Sequence, residues 1–150
     1  MEDYNKNPKD YNAPMHSAEH ILNQTMVRMF GCGRAFSSHI ERKRSKCDFR
    51  FTRALTEWET AELEKRVNEA VKADLPVTES FVSREEAEGK LDLGRLPEGT
   101  EYPLRVISIG DYDACPCSGQ HAKSTAGIGA FRIISSSFED GVLRVRFRLG

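Results

Sequence analysis

The chain has 150 residues, 39% of them hydrophobic and 30% charged, with 22 basic residues against 23 acidic ones. That length suffices for one domain with a real core, and the composition excludes collagen-like, low-complexity and mostly disordered chains. A net charge of −1 excludes a broad nucleic-acid-binding field and leaves room only for a local basic patch.

Residues 1–13 read as a polar N-terminal arm and residues 14–150 as a single domain. The first residues lack a secretory h-region, and no apolar run reaches the ~18 residues of a membrane span, so a soluble, cytoplasmic protein is expected. Asn12-Ala-Pro14 opens a helix whose apolar residues Met15, Ala18, Leu22, Met26 and Met29 recur at three- and four-residue steps. Gly31 and Gly33 end it. From Lys46 the period becomes two: Cys47, Phe49 and Phe51 alternate with Asp48, Arg50 and Thr52, the pattern of a half-buried strand. Thr56 to Glu59 is a capping box for a second helix that carries Leu63, Val67, Ala70 and Val71 to about Ala73. A strand over Pro76–Val82 follows, then a second capping box, Ser83 to Glu86, opening a short helix that Gly89 closes. Leu104–Ile109 is a strand, and Ala130 to Leu149 is a hairpin turning at Asp140-Gly141. This order predicts an α+β domain, with helices on a mostly antiparallel sheet.

Four cysteines are too few and too scattered for a disulfide scaffold, so Cys near His reads as metal-binding or catalytic. His16-Ser-Ala-Glu-His20 lies on the first helix, where positions i and i+4 share one face and both imidazoles reach one ion. About a hundred residues later comes Cys117-Ser-Gly-Gln-His121. The two motifs offer N, N, S and N donors, a set that suits Zn²⁺. The first also fits the H-x-x-E-H peptidase signature with Glu19 as base, but those enzymes are large and need a further carboxylate ligand. Here the obvious further ligands are Cys117 and His121, and Glu19 reads as a surface or supporting carboxylate.

These two motifs, followed by Ser124-Thr-Ala-Gly-Ile-Gly-Ala-Phe-Arg-Ile133 and the closing hairpin, resemble the editing domain of alanyl-tRNA synthetase. The editing domain of threonyl-tRNA synthetase shares the same pair of motifs. With no synthetase body, the chain resembles the short, freestanding alanyl-tRNA editing proteins of the AlaX type. The resemblance implies the fold of that shared domain. It also implies hydrolysis, in trans, of the ester joining serine or glycine to alanine tRNA. A synthetase pocket cannot strongly reject an isostere that adds only a hydroxyl, so a second site must. His16, His20, Cys117 and His121 would then be at once the ligands of Zn²⁺ and the catalytic residues. The ion would activate a water or hold the substrate amino group. A non-catalytic zinc or RNA-binding module and a deacylase for Ser-charged threonine tRNA are the alternatives. The chain departs from the family's CGGTH at Ser118-Gly119-Gln120, and Ala126 to Gly129 lacks the acidic residue of the usual Gly-Glu-Ile-Gly.

Ser37, Ser38 and His39 stand where editing domains line the substrate pocket, and they also fit the start of a strand. Arg42, Lys43, Arg44 and Lys46, with Arg50 and Arg53, form the densest basic stretch and could grip the phosphates of a tRNA acceptor end. Lys123 directly follows the second motif and could meet the terminal phosphates, while Arg144, Arg146 and Arg148 share one strand face. Asp111 and Asp113 could orient a ligating His or lie in solvent. Cys115 reads as a small buried side chain or a spare thiolate, and Cys32 and Cys47 as structural.

Overall fold

The computed structural model describes residues 12–91, 96 and 99–150, so residues 1–11 of the expected arm lie outside the described residues. Among the described residues there are three helices: α1 (Ala13–Phe30), α2 (Glu57–Lys72) and α3 (Arg84–Lys90). The strands are β1 (Ser37–His39), β2 (Ser45–Arg50), β3 (Val77–Val82), β4 (Leu104–Ile109), β5 (Asp113–Pro116), β6 (Phe131–Glu139) and β7 (Val142–Leu149). They form two sheets, ordered β1-β2-β7-β6 and β3-β4-β5, and every pairing is antiparallel. The expected α+β class holds, with the strands divided between two sheets. No helix among the described residues is long and apolar enough to cross a membrane.

Local chemistry sets the element ends. Asn12 Oδ1 accepts the Met15 N–H at 3.1 Å, and Gly31 takes the left-handed conformation (φ 66°) that lets its N–H bond Val27 O. Thr56 and Ser83 both close complete capping boxes. α3 does not stop at Gly89 but runs through it to Lys90, since Leu91 N–H still bonds Ala87 O and no left-handed cap is formed there. Asp140 (φ 50°) and Gly141 (φ 78°) make the two-residue turn that joins β6 to β7, both positive φ values matching a type I′ hairpin.

The core lies between the four-stranded sheet and the helices α1 and α2. Cys47 and Phe49 of β2 and Leu143, Val145 and Phe147 of β7 face Met15, Ala18, Ile21, Leu22 and Met26 of α1 and Leu63 and Val67 of α2. α2 covers the start of the β6 edge: Asn68 brackets Phe131 with hydrogen bonds of 2.8 and 2.9 Å, and Glu64 accepts Ile133 N–H at 2.8 Å.

α1 is unusual in burying two faces. Beyond its apolar stripe, His16, Ser17, Glu19, His20 and Asn23 are buried too. That polar face meets the end of β5. Thr25 Oγ1 and Tyr112 Oη lie 2.6 Å apart, and the Arg28 guanidinium bonds Tyr112 O while stacking over its ring. The strand is thereby pinned against the helix, and the loop that follows Pro116 is delivered to the histidines.

Candidate metal centre

His16 and His20 project from adjacent turns of α1, and the loop 117–121 brings Cys117 and His121 against them. Arg105 of β4 shapes that loop, its Nη1 donating to Cys117 O at 2.7 Å and to Gly119 O at 3.0 Å. Gly119 N–H turns inward to Cys117 Sγ at 3.3 Å. The same sulfur lies 3.3 Å from His16 Nε2 and 3.3 Å from His121 Nε2. One ligand atom from each of His16, His20, Cys117 and His121 falls within 4.8 Å of all the others. A tetrahedral ion bound at about 2.0–2.3 Å needs such atoms roughly 3.3–3.8 Å apart. The two sulfur–nitrogen separations of 3.3 Å lie at the short end of that range and the widest pair lies within 4.8 Å, so a small adjustment of the side chains would meet it.

The outer nitrogens of the rings have acceptors of their own. His16 Nδ1 faces Gln120 O at 3.2 Å, and His121 Nδ1 faces Ser17 Oγ at 3.0 Å, a hydroxyl that also accepts Ala122 N–H. His20 Nδ1 looks toward Asp113 Oδ2 at 3.6 Å. Asp113 is fixed in turn by both guanidinium nitrogens of Arg34 (2.7 and 3.3 Å) and by Gln24 (3.0 Å). At His16 and His121 these acceptors leave the Nε2 lone pair for the cluster side, as a ligating imidazole requires, and at His20 the Asp113 carboxylate stands beside Nδ1 without a hydrogen bond.

The electrostatics ask for a cation. Burial works against the Cys117 thiolate, but the charge on His20 and hydrogen bonds from His121 and His16 outweigh it and bring its pKa to about 2. Burial likewise opposes charge on His20, yet Cys117 and Asp113 together hold its pKa well above the ordinary value. Burial and the neighbouring imidazoles push His121 down to about 4. With Cys117 as thiolate and Asp113 and Glu19 as carboxylates, three buried anions face the guanidinium of Arg34 and the proton that His20 holds in the metal-free site. A divalent cation in place of that proton would cancel the remaining excess. The donor set, the oriented lone pairs and the charge therefore all fit a metal ion, and these four side chains could hold one.

Glu19 borders the cluster and is 4% exposed. Its Oε1 accepts the Ser38 hydroxyl at 3.2 Å. Its Oε2 lies 4.0 Å from His20 Nε2 and has no hydrogen-bond partner, an arrangement that costs about 1–3 kcal/mol.

The other residues singled out in the sequence are distributed as follows. On β1 the pleat turns Ser38 inward to Glu19 and leaves Ser37 and His39 exposed on the opposite face, where His39 meets Glu41 at 3.1 Å. Arg42, Lys43 and Arg44 are exposed on the turn between β1 and β2, Lys46 is half-buried on β2, and Lys123 is exposed. Arg50 stacks on Phe36, Arg53 pairs with Glu59, and Arg144 is bound bidentately to Asp48. Asp111 is exposed, whereas Asp113 is buried beside His20. Cys115 is half-buried with its thiol pushed up by burial and stays outside the ligand group; Cys47 is in the core. Arg34, Gln24 and Ser17 have supporting roles that no motif announces.

Residues 104–146, which include Cys117 and His121, match the family described as the threonyl and alanyl tRNA synthetase second additional domain. The chain shares this domain with those synthetases. Curated relatives agree. The alanine–tRNA ligase of Treponema denticola is 35% identical over 133 residues, 87% of this chain and 22% of the ligase. That of Coxiella burnetii is 35% identical over 124 residues, 81% of this chain and 14% of the ligase. That of Methanopyrus kandleri is 32% identical over 141 residues, 90% and 15% respectively. The chain thus spans between 14% and 22% of the length of these relatives. The α+β architecture of antiparallel sheets with three helices is consistent with this second additional domain.

The Asp113–Arg34 pair gives a pH-dependent test. Burial raises the Asp113 pKa, but His20 and Arg34 overcome it and hold the carboxyl at about 2, below its ordinary 3.8. A carboxyl lowered on folding stabilises above its unfolded pKa and loses that contribution as pH falls through the folded one. In chelator, Asp113→Asn should be less stable than wild type by about 3–5 kcal/mol at neutral pH. The gap should narrow by about 2 kcal/mol between roughly pH 4 and pH 2. Urea unfolding at several pH values measures it, and a gap that does not change with pH would contradict the assignment.

Proposed function

We propose that the chain is a zinc-dependent deacylase of mischarged aminoacyl-tRNA, acting in trans on Ser- or Gly-charged alanine tRNA. The observation that carries this reading is the convergence of His16, His20, Cys117 and His121 inside a domain shared with alanyl- and threonyl-tRNA synthetases. Alanine tRNA is favoured because the relatives covering 81–90% of the chain are alanine–tRNA ligases.

Zinc bound by these four residues would supply Lewis-acid polarisation for hydrolysis of an ester. The rest falls to the chain. Gln120 O and Ser17 orient the rings of His16 and His121, the Asp113 carboxylate flanks that of His20, and Gly119 N–H steadies the thiolate. The burial of His16, His20 and Cys117, with His121 half-buried at the edge, limits competing solvent at the reacting ester. Because three neutral imidazoles and a thiolate are needed for ligation, metal and activity are lost together in acid. Ser38, the inward residue of Ser37–His39, borders the site through Glu19. Arg42, Lys43, Arg44, Lys46 and Lys123 would hold the acceptor end by its phosphates.

A second reading follows from the number of ligands. Four protein donors around one buried ion also describe a closed structural site, which would make the chain a non-catalytic zinc and RNA-binding module.

Deacylation of Ser-, Gly- and Ala-charged alanine tRNA and Ser-charged threonine tRNA separates these readings. The wild type should release serine or glycine from alanine tRNA, and Cys117→Ala should lower that rate by more than about 100-fold. Release from none of the four substrates would refute the enzyme; release confined to threonine tRNA would reassign the substrate. In the same assay, replacing Arg42, Lys43 and Arg44 by Ala should raise KM and flatten its salt slope by roughly two units, at about 0.7–0.9 per phosphate contact. An unchanged slope would remove this turn from the tRNA interface.

A further inference from the structure

The carboxylate of Glu19 is buried at the rim of the ligand cluster, and half of it is unused. Its Oε1 is held by the Ser38 hydroxyl, while Oε2 has no hydrogen-bond partner and lies 4.0 Å from His20 Nε2. It does not belong to the four-residue ligand group. Arg34, the nearby cation, gives both of its terminal nitrogens to Asp113. A buried carboxylate oxygen in this position can accept a hydrogen bond from whatever occupies the space beside the cluster, and a charged donor makes the strongest bond.

An aminoacyl ester offers acceptors at its carbonyl and ester oxygens. Its one charged donor is the α-ammonium group. We infer that Glu19 Oε2, positioned through Ser38, is the subsite for the α-ammonium of the aminoacyl group. This inference rests on the deacylase reading and decides what that reading leaves open: the amino group lies on protein, and the metal is left for the ester. Because Glu19 Oε2 lies 4.0 Å from His20 Nε2, an amino acid held at its ammonium by Glu19 has its carboxyl carbon, two bonds away, beside the cluster. Glu19 is thus a specificity-determining residue that selects for a free amino group. Peptidyl-tRNA and N-blocked aminoacyl-tRNA, which lack that charge, are excluded.

The probe is a non-hydrolysable 3′-seryl-amido adenosine, compared with the same amide lacking its amino group. Binding of each to zinc-loaded wild type, Glu19→Gln and Ser38→Ala is measured by calorimetry at neutral pH, with metal content determined on the same samples. The wild type should prefer the amine by about 10-fold or more, Glu19→Gln should bring the two within about 2-fold, and metal content should stay unchanged. Ser38→Ala, which frees Oε1, should lower the preference by a few-fold, and it carries the test should Glu19→Gln not fold. If Glu19→Gln, or in its place Ser38→Ala, keeps the full preference, the amino group lies elsewhere and the inference is overturned. Loss of metal from Glu19→Gln would make this residue a ligand and overturn it as well. A wild type that binds neither amide contradicts the deacylase reading itself, and the subsite falls with it.

Discussion

A buried thiolate with too little positive charge around it is the constraint on which this structure turns. Cys117 Sγ is met by two imidazole nitrogens and one backbone N–H, all at 3.3 Å, and the carboxylates of Asp113 and Glu19 lie close by. Arg34 offsets one of these anions. Uncompensated buried charge is among the most expensive features a fold can contain, so the cluster is stable only with a further cation at its centre. A proton on His20 is the metal-free answer, seen in the raised pKa of that ring. A divalent ion on all four ligands is the more complete one.

The fold serves this requirement by mounting the two halves of the site on elements that are rigid for other reasons. α1 is locked into the core by Met15, Ala18, Leu22 and Met26 and presents His16 and His20 from its other side. The 117–121 loop is carried on β5 and braced by Arg105 of the neighbouring strand. The basic turn of Arg42, Lys43 and Arg44 follows directly on β1, whose Ser38 touches Glu19. A nucleic-acid backbone gripped at that turn would therefore meet the protein within a short chain distance of the cluster. In a chain of net charge −1, a local arrangement of this kind is the way to bind a polyanion.

Where a pattern has one strong physical cause, it was legible in the sequence. The 3.6-residue stripe of α1, the capping boxes at Thr56 and Ser83, the alternation of Cys47 and Phe49, and the Asp140-Gly141 hairpin all specify their elements through local interactions. β5 was not legible: Asp113, Ala114 and Pro116 are poor strand formers, and the strand exists because β4 pairs with it. Gly89 marks no helix end, because a glycine closes a helix only when the chain turns left-handed there. At the site, His-x-x-x-His and Cys-x-x-x-His carry their spacing openly. Asp113 was a candidate beside Asp111, but its pairing with Arg34 was not readable, for it depends on tertiary contact between the segment after α1 and a strand some eighty residues away. The same holds for Glu19, which lies on a helix but faces the interior.

We propose that these four side chains form one zinc site. Metal analysis of the purified chain, never exposed to chelator, tests it most directly when Cys117→Ala is measured in parallel. About one zinc per wild-type chain and little in the variant are expected. Less than about half an equivalent in the wild type, or equal zinc in both proteins, would contradict it.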